Sequence, residues 1–284
     1  MLFLYRTKRK NIFDDLRGTF MNLRNHLQCY HNIMHFEKDA LYEDHCHPDY
    51  EICFVINGEV TLKVEGETYM LTNGMGVIVE PLQYHSVISN KTQTYERLIF
   101  EFEKSVVPTE IKEQFEKSAK PYKIFYDRNL LDYAAKLKDL KHANDTLAYH
   151  SLYYSYFLQL MYLIALDHPL QSAKSKDYVP VNASVRTIID YINTNVGGKI
   201  LLSDLAKATY LSVTAMCQLF KKEMRISIKQ YILQKKFIYA QTLIRNGKTA
   251  LFAAQEIGYS NYNNFYQLYK KLLGHTPSQD KPHN

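Results

Sequence analysis

KTALFAAQEIGYSNYNNFYQLYKKLLG, residues 248–274, reads as two short helices joined at Gly258-Tyr259-Ser260. Ala254 and Ile257 precede the break, and Phe265, Leu268 and Tyr269 recur behind it at helical spacing. Glycine suits a turn that needs φ > 0, Ser260 can cap the second helix, and a small residue in the first helix lets the second cross it closely. This is the pattern of a helix-turn-helix. ILLSDLAKATYLSVTAMCQLFKKEM, residues 200–224, repeats the plan. Ser203 can cap a helix carrying Leu205 and Ala206, a break follows at Tyr210-Leu211-Ser212, and Met216, Leu219 and Phe220 form the buried face of the next helix. Between the two units, SIKQYILQKKFIYAQTLIRNG (227–247) reads as one long amphipathic helix. It would hold the two second helices about one DNA turn, roughly 34 Å, apart.

Charge points the same way. Residues 180–284 hold 14 Lys+Arg against 5 Asp+Glu, net +9, whereas residues 1–179 are net −3. Such asymmetry implies that the C-terminal part meets a polyanion. The four cysteines, Cys29, Cys46, Cys53 and Cys217, have no CxxC spacing, so a reduced, cytoplasmic setting is expected. No uninterrupted apolar run of about eighteen residues occurs, so no membrane span is expected. MLFLYRTKRKNIFDD puts its apolar stub before its charges, the reverse of a signal peptide.

Residues 28–103 carry short Val, Ile, Phe and Tyr runs punctuated at NGE, EGE and NG, the texture of a small barrel or sandwich. NLLDYAAKLKDLKHA (129–143) and TLAYHSLYYSYFLQLMYLIALDH (146–168) then read as helices, the second closed by Pro169. The wide apolar surface of the second suits a partner chain or a core within the monomer. LQSAKSKDYVPVNAS (170–184) reads as a linker. The expected fold class is therefore α+β, an N-terminal β-barrel with helices followed by an all-α domain. In DHCHPDYEICFVINGE (44–59), strand alternation puts His45, His47, Asp49 and Glu51 on one face, with Cys46 and Tyr50 on the other. Two imidazoles and a carboxylate suit zinc, manganese, nickel or iron.

Read in order, LSDLA, YLSxxxMxxLFKKE, YIxxxKxxxAxxLI and AxxIGYSNYNNFYQLYKKLLGHTP make residues 184–277 resemble the DNA-binding domain of the AraC family of bacterial transcriptional regulators. The chain departs from the family at Arg225 (usually Gly), Lys236 and Gln267 (usually Arg), and at TPSQDKPHN, where the family closes on TP-x-x-Tyr-Arg. Gln218 and Gln267 remove possible guanine-reading arginines. Position on the second helices directs Val213, Thr214, Cys217 and Gln218 to one major groove, and Tyr262, Asn263, Asn264 and Gln267 to the next. Lys221, Lys222, Lys270 and Lys271 are expected on phosphates.

HCHPDYE with Gly58 is similar to the first cupin motif, and Gly74 to Pro81 to His85 resembles a shortened second one. The resemblance implies a cupin-like barrel. In metal cupins the matching His45, His47, Glu51 and His85 would be metal ligands. In AraC-type sensors the barrel holds a small effector, so these four residues are expected to contact an effector, without a cofactor. Tyr30, Tyr50 and Tyr84 are further pocket candidates, and a tyrosine-rich polar pocket suits a sugar.

The organisation expected is an effector-sensing domain (1–110), a helical dimerisation and connecting region (111–169), a linker (170–183) and a DNA-binding domain (184–284). Family habit favours an activator that meets RNA polymerase, as a homodimer on promoter DNA, without catalysis. The alternative is a cupin-type metal-dependent isomerase or dioxygenase with an accessory basic helical domain.

Overall fold

Within the described residues of the computed structural model (26–38, 44–89, 91–103, 106–107, 113, 122–126, 129–142, 146–165 and 178–282), the N-terminal part is built on strands. These are β1 (Leu27–Phe36), β2 (Tyr50–Asn57), β3 (Glu59–Val64), β4 (Glu67–Thr72), β5 (Met75–Val79), β6 (His85–Ile88), β7 (Gln93–Phe102) and β8 (Tyr122–Tyr126). They form a five-stranded sheet, β1-β7-β2-β5-β8, and a three-stranded sheet, β4-β3-β6, with antiparallel pairing.

Alternation along β2 explains why both its faces are apolar. Cys53 and Val55 join Val60, Leu62, Val64 and Leu71 in a core between the sheets. Ile52 and Phe54 point to the outer face, where Phe100 and Phe102 meet a helix. That helix is α2 (Thr146–Ala165), which follows α1 (Asn129–His142). Tyr153, Tyr156, Phe157, Leu160 and Met161 of α2 are buried on the sheet, and Tyr153 stacks on Phe100 at 5.2 Å. Each such burial contributes about 1.5–3 kcal/mol, so α2 is a structural part of this domain. Its Leu158 and Tyr162 face outward and are exposed.

The C-terminal part is helical: α3 (Ala183–Thr194), α4 (Leu202–Thr209), α5 (Val213–Met224), α6 (Ile228–Arg245), α7 (Ala250–Glu256), α8 (Tyr262–Leu273) and a 3-10 turn, Pro277–Asp280. The fold is thus mixed α+β, with a sheet-rich N-terminal domain and a helical domain of two helix-turn-helix units. Ser212 caps α5 through Ala215 N, and Ser227 makes a capping box with Gln230 at the start of α6.

Two caps differ from expectation. Ser203 lies inside α4, which starts after Leu201 without a side-chain cap. Ser260 stands one residue early, because Asn261, an equally good cap, accepts from Asn264 N. In the first break Tyr210 takes the left-handed conformation (φ +55°) that Gly258 takes in the second (φ +89°). One helix serves both units: Tyr231 of α6 lies in the first core, and Phe237, Ala240 and Ile244 lie in the second.

Residues 166–177, which include Pro169 and most of the expected linker, lie outside the described residues. The chain re-emerges pinned to β4, where Val179 and Thr68 exchange backbone hydrogen bonds of 3.2 and 3.1 Å. Among the described residues no helix is long and apolar enough to cross a membrane.

Candidate effector site and nucleic-acid interface

The strand reading of residues 44–51 is corrected by the structure. β2 begins only at Tyr50, and His45 and His47 sit on the loop before it. Pro48 has no N–H to offer a ladder, and the chain bends there. The loop is instead laced to residues 82–85. His45 and His85 exchange backbone bonds of 3.0 and 2.9 Å, and Leu82 N donates to the His47 carbonyl at 3.0 Å. These ties bring His45, His47, Glu51 and His85 together, with one potential ligand atom from each lying within 4.8 Å of the others. Asp49 leaves the group and binds Arg245 instead, with Nη1 3.0 Å from both carboxylate oxygens.

Glu51 and His85 are buried, His45 and His47 half-buried. His47 Nδ1 donates to the Asp49 carbonyl at 2.9 Å, and His85 Nδ1 donates to the Gln83 carbonyl at 2.9 Å. A carbonyl can only accept, so both rings carry hydrogen on Nδ1 and turn Nε2 inward. His47 Nε2 is 3.2 Å from Glu51 Oε2. His85 Nε2 is 3.7 Å from the same oxygen, buried and without a hydrogen-bond partner. Burial favours a neutral His47, but the Glu51 hydrogen bond and charge outweigh it and raise its pKa. Burial likewise works against the Glu51 carboxylate, yet the two imidazoles hold it well below the usual range. The cation that the cupin resemblance implies passes a test of fit here. The donor set is of the nitrogen and oxygen type, two rings are oriented by backbone carbonyls, and one inward nitrogen stops 3.7 Å short of the carboxylate it faces, too far for a hydrogen bond.

Of the tyrosines suggested for a pocket, Tyr30 joins the inter-sheet core, Tyr50 packs under α2, and Tyr84 turns toward the helical domain. There Tyr84 meets Tyr231 at 5.4 Å between ring centroids. A small cavity of about 130 Å³ beside Asp49 and Arg245 is lined by His26, Gln28, Glu101 and Glu103 as well.

The seam between the domains contains residues that sequence reading missed. Glu65 and Gly66 form the two-residue tip of the β3–β4 hairpin, both with positive φ (+47° and +82°), as a type I′ turn requires. The Glu65 carboxylate is 1% exposed; it accepts from Tyr84 N at 2.8 Å, from the Tyr231 hydroxyl and from Lys235 Nζ. Lys235 also donates to Asn193 Oδ1 at 2.9 Å. A Cβ on Gly66 would stand 2.7 Å from Val181 and 2.9 Å from Met224 Sδ, so only glycine fits the tip. Around it Lys63 Nζ donates to the Glu223 carbonyl at 3.1 Å, and Arg186 pairs with Glu67. Cys46, between the two loop histidines, packs on the first helix-turn-helix core, and burial pushes its thiol up to about 12.

On the opposite task, Val213, Thr214, Gln218, Lys221 and Lys222 are exposed along α5, with Cys217 half-buried. Tyr262, Asn263, Asn264, Gln267, Lys270 and Lys271 are exposed along α8. Two of the departures acquire physical roles. Lys236 Nζ donates to the Ile257 carbonyl at 2.7 Å and to the Gly198 carbonyl, tying the end of α7 to the turn after α3. In the altered C-terminus Asp280 accepts from Tyr269 at 2.6 Å, Gln241 at 2.9 Å and Arg245 at 3.3 Å.

Residues 34–163 match the AraC-like ligand binding domain, and residues 205–281 match a helix-turn-helix domain. The chain belongs to the AraC family of transcriptional regulators. The probable transcriptional regulator LumQ of Photobacterium leiognathi is 26% identical to it over 86% of this chain and 92% of its own length. The lactose operon transcription activator of Staphylococcus xylosus is 25% identical over 81% and 82%. The uncharacterized HTH-type transcriptional regulator YdiP of Escherichia coli K12 is 30% identical over 44% of this chain, which spans only 41% of that protein. Among solved structures, ToxT of Vibrio cholerae O395 aligns over 88% of this chain and 96% of its own, at 11% identity and a TM-score of 0.36. An AraC-family regulator carries a ligand-binding and a DNA-binding domain, and its relatives are transcription regulators. The enzyme alternative therefore falls.

Proposed function

We propose that this AraC-family regulator is a cytoplasmic, sugar-responsive activator that binds promoter DNA as a homodimer and contacts RNA polymerase. Residues 1–110 sense the effector, 111–169 connect and dimerise, 170–183 link, and 184–284 bind DNA. The observation that carries the reading is the convergence of His45 and His47, on a loop that also touches the helical domain, with Glu51 of β2 and His85 of β6. Polar groups of this kind anchor the hydroxyls of a sugar, and regulation of a lactose operon by a relative leans the same way. The exposed Leu158 and Tyr162 of α2 support a dimer contact.

The effector reading is tested by His47→Ala and Glu51→Ala. Losing a polar anchor in a desolvated pocket costs about 1–3 kcal/mol, roughly a ten- to hundredfold weaker effector response. A reporter driven by the target promoter, titrated with candidate sugars, reads this directly. An unchanged dose response in both variants would exclude the cluster from the effector site.

The placement of α8 has its own test. Asn263→Ala is expected to relax base choice at one position, with about 1–3 kcal/mol lost at its own base pair, whereas Lys270→Ala weakens all sequences alike. Selection of binding sites from random DNA compares the variants. If Asn263→Ala and the parent select the same sites, Asn263 does not read a base.

A further inference from the structure

We propose that His45, His47, Glu51 and His85 bind one divalent ion of the zinc, manganese, iron or nickel class, and that loop 44–49 conveys its occupancy to α6. This rests on the effector reading of the same residues and deepens it, because an ion there can also receive the oxygen atoms of a polyhydroxylated effector. The Asp49 and Gln83 carbonyls fix the hydrogens of His47 and His85 on Nδ1, so each ring presents Nε2 to the Glu51 carboxylate. The 4%-exposed His85 leaves that inward nitrogen buried and without a hydrogen-bond partner. Imidazole nitrogens turned by backbone carbonyls onto a shared carboxylate are how protein sites hold such ions. Glu51 Oε2 lies 3.7 Å from His85 Nε2, too far for a hydrogen bond, and an ion between the nitrogen and the carboxylate would satisfy both. Nitrogen and carboxylate donors select these borderline transition metals over magnesium or calcium. Cys46 is not a donor, for its side chain packs on the helical domain.

The position of the loop gives the ion something to move. Donors across a zinc-class ion stand about 2.0–2.2 Å from it, hence no more than roughly 4.4 Å from one another. The four donor atoms lie within 4.8 Å of one another, so small movements of the loop that carries two of them suffice to close them on an ion. His45 and His47 ride on the loop whose intervening Cys46 lies against the first helix-turn-helix core. The same loop ends at Asp49, which grips Arg245 at the end of α6. Movement of the loop therefore bears on the helix that carries both DNA-reading units.

The test uses the purified full-length chain, stripped with chelator and dialysed against Zn²⁺, Mn²⁺, Fe²⁺ or Ni²⁺. Elemental analysis is expected to find one ion per chain, with a raised melting temperature. His85→Ala and Glu51→Gln are expected to weaken metal binding on the order of a hundredfold or more. His45→Asn, at a half-buried position, serves if His85→Ala does not fold. His31→Gln, in the separate His31–Glu96 pair, is expected to bind metal like the parent. Arg245→Ala is expected to keep the ion but lose any metal-dependent change in affinity for selected DNA. No stoichiometric metal in the parent, or metal retained by His85→Ala and Glu51→Gln, overturns the site. An Arg245→Ala protein whose DNA affinity still follows the metal overturns the route through α6. If the parent binds no metal while its cluster variants lose the sugar response, the ion is rejected and the effector reading stands. If metal binds and those variants keep the sugar response, the effector reading fails and the ion site stands.

Discussion

Glu65→Ala is expected to destabilise the full-length chain by about 3–5 kcal/mol, the usual effect of removing one partner from a buried ion pair. Lys235 and Glu65 are each 1% exposed, so water cannot replace the lost carboxylate. The Tyr231 hydroxyl and the Tyr84 N–H lose their acceptor at the same time. Replacing both charges, as in Glu65→Ala/Lys235→Met, is expected to recover much of the loss, because no buried charge is then stranded. Chemical denaturation of the parent, the single variant and the double variant measures both effects. Coincident midpoints for Glu65→Ala and the parent would mean that the seam opens to water and that the pair adds nothing.

The second large effect is the salt dependence of DNA binding. Lys221, Lys222, Lys270 and Lys271 stand in the last turns of α5 and α8, the two helices assigned to the grooves. If all four meet phosphates, the logarithm of the affinity falls with the logarithm of salt at a slope of about −3.6. Between 50 and 200 mM salt that is on the order of a hundredfold. Lys222→Ala should reduce the slope by about one, as measured by titration of a selected duplex at several salt concentrations. A slope near zero would remove the lysines from the phosphate backbone.

The helical domain was legible because its signals are local. Ser212, the break at Gly258 and the spacing of Phe265 and Tyr269 all act within a few residues of one another, and each stands where it was expected, whereas the caps expected at Ser203 and Ser260 fall at Leu201 and Asn261. The sheets were legible as alternation and turn dipeptides, although α2 had two open uses until its Tyr153 and Phe157 were found on Phe100. His45 and His47 were assigned to a strand because alternation was extended through Pro48, where no ladder can run. The seam was not legible at all. The EGE tripeptide announces a turn, but nothing nearby says that its first carboxylate will be buried by Tyr231 and Lys235. Those partners lie 166 and 170 residues further along the chain. A tight hairpin of this type favours Asn or Asp beside the glycine. The glutamate in that place breaks a local rule, and the reason appears only when the two domains meet.

The same carboxylate limits how this sensor can be exchanged between regulators. A chimera that joins these sheets to another helical domain carries the charged hairpin tip with it. If the recipient has an apolar side chain where Lys235 stands, the carboxylate is buried with no cation to meet it. If the recipient keeps the lysine but the donor hairpin lacks the acid, the stranded charge is the lysine. Sensor and reader can therefore be recombined only when hairpin tip and helix are exchanged together, and a graft boundary drawn in the connecting segment separates them.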